Sequence, residues 1–346
     1  MTRHSFLSGR FGRRTLLAGL AAMLPLASIP GAARAQDLDP LTMRLEWTAF
    51  VAHLPLHLAV EKGWFKDAGL DVMIEDGNGS TTTVNLVGTG QFDLGHAALS
   101  SAAVGAAAGL DVTALASYMA KSPLGIIYAE DAGIETLEDL KGKTVIYTPG
   151  SFETPFIEPF FKMNGIDPSD IELVGVEASA KISSYATGNA DAFITTVPGD
   201  MPHVEEERDS DYFLFADHGL NLPAFGIIAN TDSLADKGDA IKRFTSVVSA
   251  AWEYILDGHE QEAAEAVMAQ RPDAPTSVER LVSEFNLNKP YYAGDGAFPG
   301  TMSVEEWATV LEEMKAAGII DASTDPADYI ATTYNDADYG RSIVGQ

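Results

Sequence analysis

The 346-residue chain contains no cysteine. That excludes disulfides, thiolate metal ligands, thiol nucleophiles and a lipid-modified cysteine anchor. It also has no arginine between Leu45 and Glu207. Arginine is the usual bidentate reader of carboxylates and sulfonates. A cleft drawn from that span therefore favours a planar, polar, neutral or weakly cationic guest, although helix N-termini can still hold an anion. Basic residues are scarce throughout, 22 against 50 acidic. A balance this acidic argues against nucleic acid and anionic membrane as partners. The acids are scattered rather than clustered, as in a solvated surface. The chain also lacks a run suited to spanning a bilayer. The apolar segment Leu16 to Ile29 is interrupted by Pro25 and Pro30 and falls short of the roughly 20 residues a span needs.

What the N-terminus does contain reads as an export leader covering residues 1–35. A basic start with the pair Arg13-Arg14 precedes the apolar run, and Ala33-Arg34-Ala35 supplies a small-x-small cleavage site. The paired arginine points to the twin-arginine route and to a periplasmic destination. Removing this leader removes five arginines and no acid, so the 311 residues from Gln36 carry a formal charge of −33. That length suffices for two domains with substantial cores.

Short apolar runs alternate with amphipathic stretches along the rest of the chain, the pattern of an α/β fold. Strands are expected at Met43–Trp47, Asp71–Glu75, Phe92–Gly95 and Val112–Tyr118. Helices are expected at Leu54–Phe65, Ser80–Val87 and Ala97–Ala108. After Lys121-Ser122-Pro123 a second series begins, with strands at Leu124–Tyr128, Thr144–Tyr147, Glu172–Val176, Ala192–Thr195 and Tyr212–Phe215. The helices between them include Glu153–Met163 and Ala180–Thr187. Gly219 to Pro223 makes the next break, a strand Phe225–Ala229 follows, and the remainder is mostly helical, beginning with a helix expected at Ala240–Leu256. Two breaks enclosing a self-contained α/β unit imply an inserted lobe: residues 36–121 and 222–346 as lobe I, 122–221 as lobe II. Two crossing strands would form the hinge and a cleft would lie between the lobes.

Several stretches carry a family likeness. They are Trp47 and His53 ahead of Leu58 to Val72 (LAVEKGWFKDAGLDV), then Gly88 to Gly95 (GTGQFDLG), Ile134 to Val145 (IETLEDLKGKTV) and Gly188 to Ala192 (GNADA). The chain resembles the periplasmic solute-binding proteins of ABC importers. The subfamily is that shared by thiamine-pyrimidine-precursor, riboflavin, nitrate and sulfonate binders and by the yeast pyrimidine-precursor synthase. The resemblance implies a type II periplasmic binding fold, two lobes of mixed sheet flanked by helices, closing on a small molecule that is passed to a membrane permease. It implies a monomer with no cofactor. The synthase branch uses a cysteine-rich iron motif, which this chain lacks, so a non-enzymatic role is expected.

In open α/β sheets ligands bind beyond the carboxyl ends of strands, and the candidate site is drawn from those loops. Trp47, and with it Phe50, would stack on a planar ring. His53 would hydrogen-bond a heterocycle or cap the following helix, and the resemblance to pyrimidine-precursor proteins, which have His there, favours the ligand. His53 and His57 have i, i+4 spacing, but no third metal ligand is apparent in the sequence and no metal is expected. Asn78-Gly79-Ser80-Thr81 and Gly150-Ser151-Phe152 are turns entering helices, with N–H groups able to take an anion. Ala98, Ser100 and Tyr118 would line the lobe I wall, Thr195 and Thr196 the lobe II wall, and Phe225 the returning strand. Glu153, and more weakly Asp191, could receive an amino group. The favoured ligand is an aromatic heterocycle such as a thiamine pyrimidine precursor. A sulfonate, taurine or nitrate is the alternative.

Overall fold

The first strand, β1 (Asp39–Arg44), pairs in parallel with β2 (Leu70–Glu75) on one side and β3 (Leu94–Ala98) on the other in a computed structural model. The structure describes residues 38–119, 121–292 and 297–345; the leader expected at 1–35 lies outside them. Between β1 and β2 run α1 (Leu54–Glu61) and α2 (Trp64–Asp67). They are one helical stretch broken at Gly63, whose φ of 76° lies in the left-handed region where glycine is favoured. After β2 come α3 (Ser80–Gly88), β3, α4 (Leu99–Ala107) and β4 (Val112–Ser117).

The chain then passes to a second sheet. It holds β5 (Leu124–Ala129), β6 (Thr144–Tyr147), β7 (Glu172–Gly175), β8 (Ala192–Thr196) and β9 (Ser210–Leu214), with α5 (Ile157–Met163), α6 (Ala178–Ala186) and α7 (Val197–Glu205) between its later strands. It returns through β10 (Phe225–Asn230) and finishes in α8 (Thr231–Tyr254), α9 (Glu260–Gln270), α10 (Val278–Asn288), α11 (Val304–Ala316) and α12 (Ala337–Val344). The strand orders are β2-β1-β3-β10-β4 and β7-β6-β8-β5-β9. In each sheet four strands run one way and one runs against them, β10 between β3 and β4 and β5 between β8 and β9. These are the two mixed sheets flanked by helices anticipated above. The chain crosses between them twice, from Ser117 to Leu124 and from Leu214 to Phe225.

The central strands are covered on both faces, so they read as continuous apolar or small runs rather than alternating ones. Every residue of β3, β5 and β10 is buried. Within β3, a Cβ on Gly95 would stand 2.9 Å from Val87 Cγ2 and 3.0 Å from Ile228 Cγ1. Only glycine lets α3 and β10 approach the strand this closely.

Three expectations are corrected. Ala97 and Ala98 belong to β3, not to the helix that follows, because they pair with Gly226 and Phe225. Residues 153–156 form hydrogen-bonded turns and regular helix begins only at Ile157. The helical pattern placed at residues 240–256 starts at Thr231, where the Asn230 side chain accepts from the N–H groups of Asp232 and Ser233 at 3.0 and 3.1 Å. Among the described residues no helix is long and apolar enough to cross a membrane.

Candidate functional site

The loop after β1 carries Glu46, and its position decides the site. The backbone carbonyl of Glu46 accepts the N–H of Gly79, and that of Trp47 accepts the N–H of Gly77 at 3.0 Å. The loops following β1 and β2 are thus tied together. The Glu46 side chain turns inward. His53 Nε2 donates to its Oε2 at 3.0 Å and His96 Nδ1 donates to the same oxygen at 2.7 Å. His53 stands where the chain enters α1 and His96 sits mid-strand in β3, so three elements meet on one carboxylate. All three residues are buried, at 3%, 0% and 1% exposure.

Burial alone would raise the Glu46 carboxyl, but the two imidazoles outweigh it and hold it below the usual range. Burial lowers the pKa of His53 against the pull of Glu46, which favours its neutral form. Three atoms near this junction are buried without a hydrogen-bond partner: Glu46 Oε1, His96 Nε2 and Ser100 Oγ.

Aromatic rings wall the cluster. Phe50 meets His53 edge-on at 4.6 Å between centroids, and Phe225 stacks on His96 at 5.7 Å. Phe152, from the second sheet's β6–α5 loop, meets Phe225 at 5.6 Å. Of the residues expected to converge, Phe50, His53, Phe152 and Phe225 therefore come together. Gly79, Thr81, Gly150 and Ser151 meet beside them: Thr81 N–H donates to the Gly150 carbonyl at 3.1 Å, and its hydroxyl to the Ser151 carbonyl at 3.4 Å.

The other candidates have the following surroundings. The Ser80 hydroxyl accepts the N–H of Ala98 at 3.1 Å and so joins α3 to β3 rather than standing open. Tyr118 bonds Ser249 of α8 at 3.3 Å, within the helical layer. Glu153 is already engaged by Lys181 Nζ at 3.4 Å and by the N–H of Thr148 at 3.2 Å. Thr195 accepts from the same Lys181 at 3.2 Å and donates to Asp200. Asp191 accepts from the N–H of Thr144 at 2.9 Å, securing the start of its strand. Trp47 and Thr196 are half-buried, and Asn78 is exposed. The turn at Gly150 does not open directly into a helix, because regular helix starts seven residues further on.

Sequence reasoning missed Glu46 and the role of His96. The signal was there: Glu46 is the one acid in the expected strand Met43–Trp47, which the structure ends at Arg44, and His96 is a lone imidazole in a run of small residues. His53 does not pair with His57, whose Nδ1 faces Gln270 at 3.0 Å. Glu46, His53 and His96 instead bring two imidazoles and a carboxylate within 4.8 Å of one another. That ligand set would suit a divalent cation, at the cost of the two hydrogen bonds now made to Glu46.

Comparison with known proteins agrees with this architecture. The model of the family described as NMT1/THI5 like matches residues 51–263. The chain is 28% identical to 4-amino-5-hydroxymethyl-2-methylpyrimidine phosphate synthase of Aspergillus parasiticus, over 83% of this chain and 85% of that protein. It is 25% identical to formylaminopyrimidine-binding protein of Halalkalibacterium halodurans, over 86% of this chain and 92% of that one. The fold is similar to that of the periplasmic aliphatic sulphonate binding protein of Escherichia coli, with a TM-score of 0.67 at 15% identity, covering 85% of this chain and 92% of that one. The chain belongs to the NMT1/THI5-like family.

Proposed function

We propose that this NMT1/THI5-like chain is the exported solute-binding component of an ABC importer, and that it takes a small aminopyrimidine of the thiamine-precursor kind. The observation that carries the reading is the buried Glu46–His53–His96 cluster, walled by Phe50, Phe225 and Phe152. It offers polar atoms for a ring's edge and aromatic faces for its plane. The formylaminopyrimidine-binding relative supports the same ligand class. Residues 36–121 with 222–346 form one lobe and 122–221 the other; the segments from Ser117 to Leu124 and from Leu214 to Phe225 let them close. The leader with Arg13-Arg14 delivers the protein to the periplasm, where a permease receives the ligand.

Micromolar binding corresponds to about −8 kcal/mol. Each aromatic contact contributes about 1 kcal/mol beyond its burial, so hydrogen bonds to the cluster and apolar burial supply the rest. A sulfonate or nitrate ligand fits less well: the Thr81 N–H in the first turn of α3, which would bind such an anion, is already given to Gly150. The test is a thermal-shift and calorimetric screen of the processed protein against aminopyrimidines, riboflavin, taurine and nitrate. Stabilisation by taurine with no response to any pyrimidine would sink the reading.

A second reading, a pyrimidine-precursor synthase, draws on relatives of that name and on the metal-compatible donor set. The absent cysteines and the leader weigh against it. Formation of a pyrimidine product by the purified protein would establish it.

A further inference from the structure

A second contact bridges the two sheets' units, on elements other than those that carry Thr81 and Gly150. By sequence α10 belongs with the first sheet, yet it packs against α7 of the second as well as against Val51–His53. Where the two helices meet, His203 Nε2 of α7 lies 3.0 Å from Glu284 Oε1 of α10. A carboxylate only accepts, so the imidazole N–H donates. Three residues beyond α10, Tyr291 packs against the apolar cluster of the second sheet that includes Ile127, Phe193 and Val204. The stretch from Val278 to Tyr291 thus reaches from one unit onto the other.

The charge on this stretch is placed unusually. Glu284 is 7% exposed and His203 is half-buried. Among the described residues no Lys or Arg pairs with Glu284; its ion-pair partner is His203. Carboxylates are seldom buried this far unless paired, and here the partner comes from the other unit. Parting the two units would put water in place of the imidazole, so the bond exists in full only while they are together.

We propose that His203 and Glu284 form a clasp that sets the balance between closed and open forms of the protein. The proposal rests on the two-lobe reading above and not on the identity of the ligand. A hydrogen bond to a charged group is strong enough to move such a balance about tenfold. Apparent affinity scales with the closed fraction, so the clasp adjusts the strength of binding for every guest by the same factor. Selectivity stays with the residues that touch the guest.

The test is small-angle scattering of the ligand-free processed protein, with His203→Ala, Glu284→Ala and the double variant. Each single variant should have a larger radius of gyration than wild type, with the closed-to-open ratio lowered about tenfold in a two-state fit. The double variant should open no further than either single one, because the bond is already broken. Melting curves report whether each variant folds; if one single variant does not, the other decides. A lowered melting temperature with unchanged scattering would mark a merely structural pair and overturn the proposal. So would a double variant that opens by the two single effects combined, since the residues would then act separately. A wild-type protein that scatters only as the open form would overturn it without any variant. None of these outcomes depends on which ligand is taken up, so the proposed function stands or falls by its own screen.

Discussion

Thr81 and Gly150 belong to different sheets, yet the Thr81 N–H donates to the Gly150 carbonyl at 3.1 Å. The contact forms because neither turn has a side chain in the way. Gly79, which immediately precedes α3, has a φ of 140° and Gly150 has a φ of 83°. A Cβ on Gly79 would lie 2.7 Å from the carbonyl carbon of Gly150 and 3.1 Å from Ser151 N. Both are backbone atoms, which cannot swing aside as the end of a side chain can.

Gly79→Ala should therefore hold the two turns apart. If closure completes the site, apparent affinity falls in proportion to the closed fraction, and a loss of about tenfold or more is expected. Small-angle scattering with saturating ligand should show a larger radius of gyration than wild type. Unchanged scattering and affinity would mean that this approach is not needed for binding.

The second sheet is held by a buried charge. Lys181 Nζ bonds the Ile194 carbonyl at 3.1 Å, Thr195 at 3.2 Å and Glu153 at 3.4 Å. Removing one member of a buried pair strands the other. Lys181→Met should cost about 3–5 kcal/mol in urea unfolding, whereas Lys162→Met, in the exposed pair with Glu158, should cost less than about 1 kcal/mol. Similar losses for the two variants would refute the distinction.

Acid should weaken the protein through His57 as well as through Glu46. Burial pushes His57 down from the ordinary 6.5 to about 4. Between those values the unfolded chain binds the proton and the folded one does not, so stability falls as pH drops across that window and levels off below it. The shift corresponds to at most about 3 kcal/mol. Glu46, also depressed when folded, adds a loss that begins near its unfolded pKa and continues as pH falls further. Urea midpoints at about pH 7 and about pH 5 should differ less in His57→Gln than in wild type; an identical pH dependence would show that another group is responsible.

Much of the architecture was legible because it is written locally. Apolar runs at Leu124–Tyr128 and Phe225–Ala229 fall on observed strands that are buried at every residue, since a strand covered on both faces must be apolar throughout. That Phe50, Phe152 and Phe225 would come together in the candidate site was legible for a related reason: they stand at strand ends or in the loops beyond them. Boundaries were less so. Ala97 and Ala98 suit a helix by propensity, yet pairing with β10 draws them into β3.

By itself the sequence determined the alternation of strands and helices, the two breaks, the acidic surface and the absence of thiol chemistry, because composition and periodicity act over a few residues at a time. Only the tertiary structure decided that Glu46 faces inward to His96, a residue 50 positions away, that Glu153 is taken up by Lys181, and that Ser80 joins α3 to β3. A polar side chain's role depends on which partner the fold brings within about 3 Å, and spacing along the chain does not carry that information when the partners sit on different elements.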